Sequence, residues 1–140
     1  MDRNGAAESA KWPYDLEERT ALFGQEVISL AKKIKIDAIT ERLVPQLVAA
    51  ATSVGANYGE AQEAESLKDF RHKLAISKKE ARETRHLLRM VCAARPELRI
   101  EIARLYRETQ ELNLILAASI RTVDVRISRS KAPGHPTASG

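Results

Sequence analysis

From Leu16 to Val123, apolar residues return at alternating three- and four-residue steps, the period of one helix face and not of a strand. Four segments carry the pattern. The first runs from Asp15 to Ile34, with Leu16, Thr20, Phe23, Val27, Leu30 and Ile34 on one stripe. Its Glu17 and Glu18 sit at the positive end of the helix dipole, and Lys32, Lys33 and Lys35 at the negative end. The second covers Thr40 to Glu63 but contains Pro45, which has no amide hydrogen and disfavours helical geometry at Val44. A true start near Val44, after a looser turn, is the expectation. The third runs from Ser66 to Ala94. Ser66 is placed to cap it, with Asp69 three residues on, and Phe70, Leu74, Ser77, Ala81, Thr84, Leu88 and Val91 form its core stripe. The fourth begins near Pro96, a residue favoured in a first turn, and carries Leu98, Ile102, Leu105, Thr109, Leu112, Leu116, Ser119 and Val123.

Four helices on short connections imply antiparallel neighbours, so the fold class is all-α: an up-and-down four-helix bundle. A chain of 140 residues suits one domain with one shared core. Aromatics make up only 4% of it, so the apolar mass is Ala, Leu, Ile and Val, which suits helices. Residues 1–13 and 126–140 are polar or rich in Ser, Pro, Gly, Lys and Arg, which predicts disordered tails around a bundle at 14–125, the second tail being basic. The opening residues hold no apolar run of the signal-peptide kind. Nowhere is there an uninterrupted apolar stretch of about 18 residues, so a cytoplasmic protein without a membrane partner is expected. Cys92 stands alone, which excludes an internal disulfide and a multi-cysteine metal cage and suggests a small buried side chain.

Thr52-Ser53-Val54-Gly55-Ala56-Asn57-Tyr58 is followed by Glu60-Ala61 and Glu65-Ser66. Asp69-Phe70-Arg71-His72-Lys73-Leu74-Ala75-Ile76 comes next, with Lys79-Glu80-Ala81 and Glu83. In this order and spacing the strings resemble the bacterial four-helix-bundle family first known from open reading frames in 23S ribosomal RNA intervening sequences, over about Tyr14 to Thr122. The resemblance implies an up-down-up-down bundle, a ring-like homopentamer, no enzymatic activity and a role with nucleic acid. Relatives by fold include the basic accessory proteins of diversity-generating retroelements, which work beside a reverse transcriptase on RNA, so a protein partner of that kind is implied too. Pro45 is the main departure, and it bears on the start of the second helix.

The motif has its own physical reading. Ala51, Gly55 and Gly59 recur every four residues, leaving a strip where another helix can approach closely. Each glycine costs about 1 kcal/mol against alanine in a helix, which favours a close-packing role within the subunit. The setting lacks the strand-loop-helix context and trailing Lys-Ser or Lys-Thr of a phosphate loop. Asn57 needs hydrogen-bond partners near a packed face, with Tyr58 and Glu60 as candidates. Ser53, Gly55, Asn57, Tyr58 and Gly59 are thus read as a structural motif.

Charge is segregated. Residues 1–65 hold 7 basic and 11 acidic side chains, residues 66–94 hold 8 and 3, and residues 95–120 hold 4 and 4. At about 100° per residue, Arg71, Lys78, Arg82, Arg85 and Arg89 share one narrow stripe of the third helix, away from its core. Arg predominates, and its planar fork suits phosphates, which makes the ridge a candidate RNA- or DNA-binding face, copied by a ring into many weak contacts. Two other readings stay open: a solvated face partly neutralised by Glu80 and Glu83, or a contact with the acidic half of a neighbouring subunit. Ile76, Leu87 and Met90 form a second apolar set off the core stripe and are candidates for an oligomer interface, as are Leu114 and Ile115.

Catalysis finds no support in the residues. Glu83 and His86 make an E-x-x-H string, but a dinuclear metal site needs one on two helices plus inward carboxylates from two more. Here the similar Asp69–His72 pair lies on the same helix, and no nucleophile constellation accompanies three histidines. The sequence therefore predicts a non-enzymatic, oligomeric scaffold or accessory factor that binds nucleic acid, with no catalytic residue, metal or cofactor. A protein-assembly module is the alternative.

Overall fold

The computed structural model describes residues 12–131. Four helices follow one another: α1 (Leu16–Ala31), α2 (Thr40–Gln62), α3 (Leu67–Ala94) and α4 (Arg99–Ser130), with a short 3-10 turn at Pro96–Leu98 before the last. Sequential helices pack side by side, α2 on α3 most extensively, and the α1–α4 seam that closes the bundle is the thinnest. This is the expected all-α bundle.

The stripes read from the sequence meet in the middle. Phe23, Val27, Leu47, Val54, Leu88, Val91 and Leu112 are fully buried in one cluster, and Leu74, Leu116, Val123 and Ala61 form a second toward the other end. A buried residue of this kind contributes roughly 1.5–3 kcal/mol, so packing outweighs the helix penalty of a glycine or two. Thr20, Thr84 and Thr109 also lie inside without strain, because each hydroxyl donates to a carbonyl three or four residues back in its own helix. Ser77 Oγ instead reaches across to the Val54 carbonyl at 2.8 Å and ties α3 to α2.

Helix ends follow local chemistry. Asp15 caps α1 by accepting from Glu17 N, and Ser66 caps α3 by accepting from Asp69 N, both at 3.0 Å. The start of α2 departs from expectation: the helix begins at Thr40 and runs through Pro45. Its first turn is fixed upstream, where Asp37 Oδ1 accepts from Ile39 N and Thr40 N while Asp37 N donates to Thr40 Oγ1. Thr40 Oγ1 in turn donates to the Lys35 carbonyl. Glu41 and Pro45 are both exposed, so water reaches the carbonyl that the missing proline hydrogen leaves unpaired. Arg95, at the end of α3, donates to Asp37 Oδ2 and the Lys35 carbonyl and joins two loops at one end of the bundle.

The bundle also reaches beyond its expected edges. Trp12 packs on the core beside Phe23, with ring centroids 6.2 Å apart, and the Arg104 guanidinium lies 4.6 Å from the Trp12 ring centroid. At the other end α4 continues through Arg126 to Ser130, with Ile127 on the second cluster, so the boundary at residue 125 shifts outward. The remaining expectations for the tails fall on residues 1–11 and 132–140, outside the described residues.

Candidate functional site

The basic residues divide by whether a carboxylate holds them. Arg19, Lys33, Arg71, Lys73, Arg95 and Arg104 are each ion-paired, with Glu108, Glu101, Asp124, Glu60, Asp37 and Glu26 respectively. The hydrogen bonds that Arg71 and Lys73 donate to Asp124 and Glu60 raise the pKa of each cation, and that of Asp37 falls far below the carboxylate range under Arg95 and the backbone amides of Thr40 and Ile39. Among the described residues no carboxylate lies within ion-pairing distance of Lys78, Arg82, Arg85, Arg89, Arg99 or Arg107. Glu80 and Glu83 thus leave the ridge un-neutralised.

This redraws the expected ridge. Arg71, engaged by Asp124 of α4 in a two-pronged contact at 2.5 and 3.2 Å, drops out as a free cation. The remaining four point to two flanks. Lys78 and Arg85 share a helical phase on the side of α4, where Asn113 Nδ2 donates to the Lys78 carbonyl at 3.4 Å. Arg82 faces α2, in a groove with Lys79, Glu83, His86 and Met90. Arg89 stands on the wall of a second open groove between α3 and α4, about 620 Å³ in volume, with Arg99, Arg107, Cys92, Ala103 and Tyr106.

Arg99 and Arg107 escaped the sequence reading because residues 95–120 balance in charge. Their helical phase carried the signal. Arg99, Ala103 and Arg107 stand four apart on one stripe of α4. Glu101 and Glu108 turn toward α1, where they meet Lys33 and Arg19, while exposed Glu111, one turn beyond Arg107, borders that stripe without ion-pairing to it. The result is a basic surface that runs over α3 from Arg82, at its α2 edge, to Arg89 and continues onto α4 at Arg99 and Arg107.

The other candidates fall differently. Leu87, expected at a subunit interface, is 5% exposed and belongs to the core of the single chain, because α2 closes over its flank of α3. Ile76, Met90 and Ile115 are half-buried. Leu114 is 66% exposed and shares the outer phase of α4 with exposed Ile100 and Val125. The glycine strip splits: a Cβ on Gly55 would come within 3.2 Å of Thr20 Oγ1, the close approach expected, whereas one on Gly59 would meet open space. Asn57 Nδ2 donates to the Ser53 carbonyl at 2.9 Å and not to Tyr58 or Glu60, so the amide serves its own helix. Tyr58 packs on the second cluster, and burial raises its pKa.

Glu83 and His86 are exposed, as are Asp69 and His72, and among the described residues no three His, Cys, Asp or Glu side chains gather to hold a metal. No helix among those residues is long and apolar enough to cross a membrane.

Residues 15–118 match the family described as 23S rRNA-intervening sequence protein. A crystal structure of a protein of unknown function from the S23 ribosomal protein family of Bacteroides thetaiotaomicron is similar at 28% identity and a TM-score of 0.65, covering 74% of this chain and 96% of that one. No curated protein matches the chain.

Proposed function

The chain belongs to the family of 23S rRNA-intervening sequence proteins, and from that premise we propose that it is a non-enzymatic, self-assembling bundle that binds nucleic acid through the α3–α4 basic face. One observation carries this reading: among the cations without a carboxylate partner, Lys78, Arg82, Arg85, Arg89, Arg99 and Arg107 fall on α3 and α4, and three of them, Arg89, Arg99 and Arg107, line a single groove that holds no carboxylate. A surface evolved only for solubility gains nothing from gathering guanidinia without carboxylates, whereas a polyanion pairs with each and releases counterions. Self-assembly is supported by the outer stripe of α4, where Leu114 and Val125 expose 66% and 48% of their surface along one phase, whereas Ile100 on the same phase lines the α3–α4 groove. A ring of five is the state implied by the family resemblance, and it would repeat the basic face around the assembly.

The test is binding of a labelled RNA hairpin or DNA duplex across salt, with light scattering to follow assembly. With about four phosphate contacts per subunit, affinity falls roughly hundredfold between about 50 and 200 mM salt. Arg82→Glu with Arg85→Glu weakens binding and flattens that dependence while the assembly keeps its mass. If the double variant instead dissociates the assembly, the ridge is a subunit contact and the proposal fails.

A further inference from the structure

The α3–α4 groove differs from the groove beside Arg82, which Glu83 also lines, in pairing its apolar lining with cations alone. Its apolar lining comes from buried Ile102, half-buried Cys92 and Tyr106, and exposed Ile100 and Ala103, and Arg89, Arg99 and Arg107 complete it. No carboxylate lines it. A duplex presents its phosphates on a convex surface with the bases stacked inside, and cations alone suffice to meet it. An apolar lining beside cations fits a different ligand, one that offers a flat apolar group and a negative charge a few ångströms apart. An unstacked nucleotide does so: its base lies on an aromatic or aliphatic surface while the flanking phosphates meet guanidinia.

Resting on the nucleic-acid reading above, we infer that this groove takes an unpaired nucleotide of a single-stranded segment, its base against Tyr106 and Ala103 and its phosphates on Arg89, Arg99 and Arg107. The charge complementarity is complete, since three guanidinia line the groove and none has a carboxylate partner among the described residues. Tyr106 is held for this role from behind. It is half-buried, its ring packed on the main core cluster while part of it lines the groove, so its position does not depend on the ligand. Bases all have a stackable face, so the groove selects single strands over duplexes with little regard to sequence.

The experiment compares a labelled single-stranded RNA of about 12 nucleotides with the same strand annealed to its complement, by fluorescence anisotropy, on the full chain. Two variants probe the groove: Tyr106→Leu, with Tyr106→Phe as its conservative counterpart, and Ala103→Glu, which adds a carboxylate from an exposed helix position and leaves the core alone. The single strand binds about tenfold or more tighter than the duplex. Tyr106→Leu weakens it by about fivefold or more, Tyr106→Phe leaves it near wild type, and Ala103→Glu weakens it further while duplex binding changes far less. Equal affinity for both probes, with both variants neutral or lowering the two together, overturns the groove as a single-strand site and leaves the basic face standing. Absence of binding to either probe at low salt sinks the broader reading as well. A change in the mass of the assembly on Ala103→Glu makes the groove a contact between copies and overturns the inference.

Discussion

Arg19 and Glu108 join α1 to α4 across the thinnest seam of the bundle, and the pair is asymmetric. Arg19 Nε and Nη2 donate to the two carboxylate oxygens at 2.6 and 2.9 Å. The Glu108 side chain is 1% exposed and that of Arg19 17%. The hydrogen bond that Arg19 donates to Glu108 raises the Arg19 pKa, so the guanidinium is a permanent cation at any working pH. Arg19→Met therefore strands a carboxylate in the interior and costs about 3–5 kcal/mol, a large part of the roughly 5–15 kcal/mol that holds a domain together. Glu108→Leu leaves a guanidinium at the edge that can turn to water, and costs less, about 1–2 kcal/mol. Combining them removes both charges and fills the space with apolar atoms, so the double variant is more stable than Arg19→Met by about 2 kcal/mol or more. Urea unfolding followed by circular dichroism measures all four proteins, at one protein concentration because assembly adds to stability. Additive effects, or a larger loss from Glu108→Leu than from Arg19→Met, would refute the reasoning.

Asp37 gives a pH signature. Its carboxyl pKa is depressed in the folded state by Arg95 and by the amides of Thr40 and Ile39, so it adds stability above the ordinary carboxylate range near pH 4 and loses it as pH falls toward the depressed value. Thermal melts of Asp37→Asn are accordingly lower than wild type at neutral pH, and the difference narrows between about pH 4 and pH 2. The two motif glycines respond differently to alanine. Gly59→Ala raises stability by about 0.5–1 kcal/mol because its Cβ enters open space, while Gly55→Ala gains less or loses, since its Cβ must displace Thr20 at 3.2 Å. Denaturant midpoints of the two variants at matched concentration decide the point.

The fold was legible because its cause is periodic. Thr20, Phe23, Val27 and Leu30 of α1, or Leu74, Ser77, Ala81 and Leu88 of α3, are spaced as a helix requires, and all are buried. Local features that depend on a partner distant in sequence were not legible. Pro45 reads as a helix start when only its own ring is considered. The start is set instead by Asp37, Thr40 and Lys35, with Arg95 bringing its charge from 58 residues away. Leu87 reads as exposed when α3 is taken alone and disappears once α2 lies beside it.

The basic face follows the same logic, with a sharper consequence. A count of charges along the chain makes residues 66–94 strongly positive and 95–120 neutral, which confines the candidate site to α3. Pairing, not counting, decides which charges a ligand can use. In α3 it subtracts Arg71, held by Asp124, and in α4 it removes Glu101 and Glu108 from the competition, because Lys33 and Arg19 of α1 hold them. Three of the cations left unpaired, Arg89, Arg99 and Arg107, therefore line one groove where the two helices meet, together with Tyr106. Reversing one of those pairs should move the face: Asp124→Asn releases Arg71 and extends the basic surface toward the other end of α3. Affinity for a polyanion rises and its salt dependence steepens by about one contact if Arg71 then reaches a phosphate. An unchanged salt slope in Asp124→Asn, with the assembly intact, would show that the binding surface ends short of Arg71 and is centred on the α3–α4 groove.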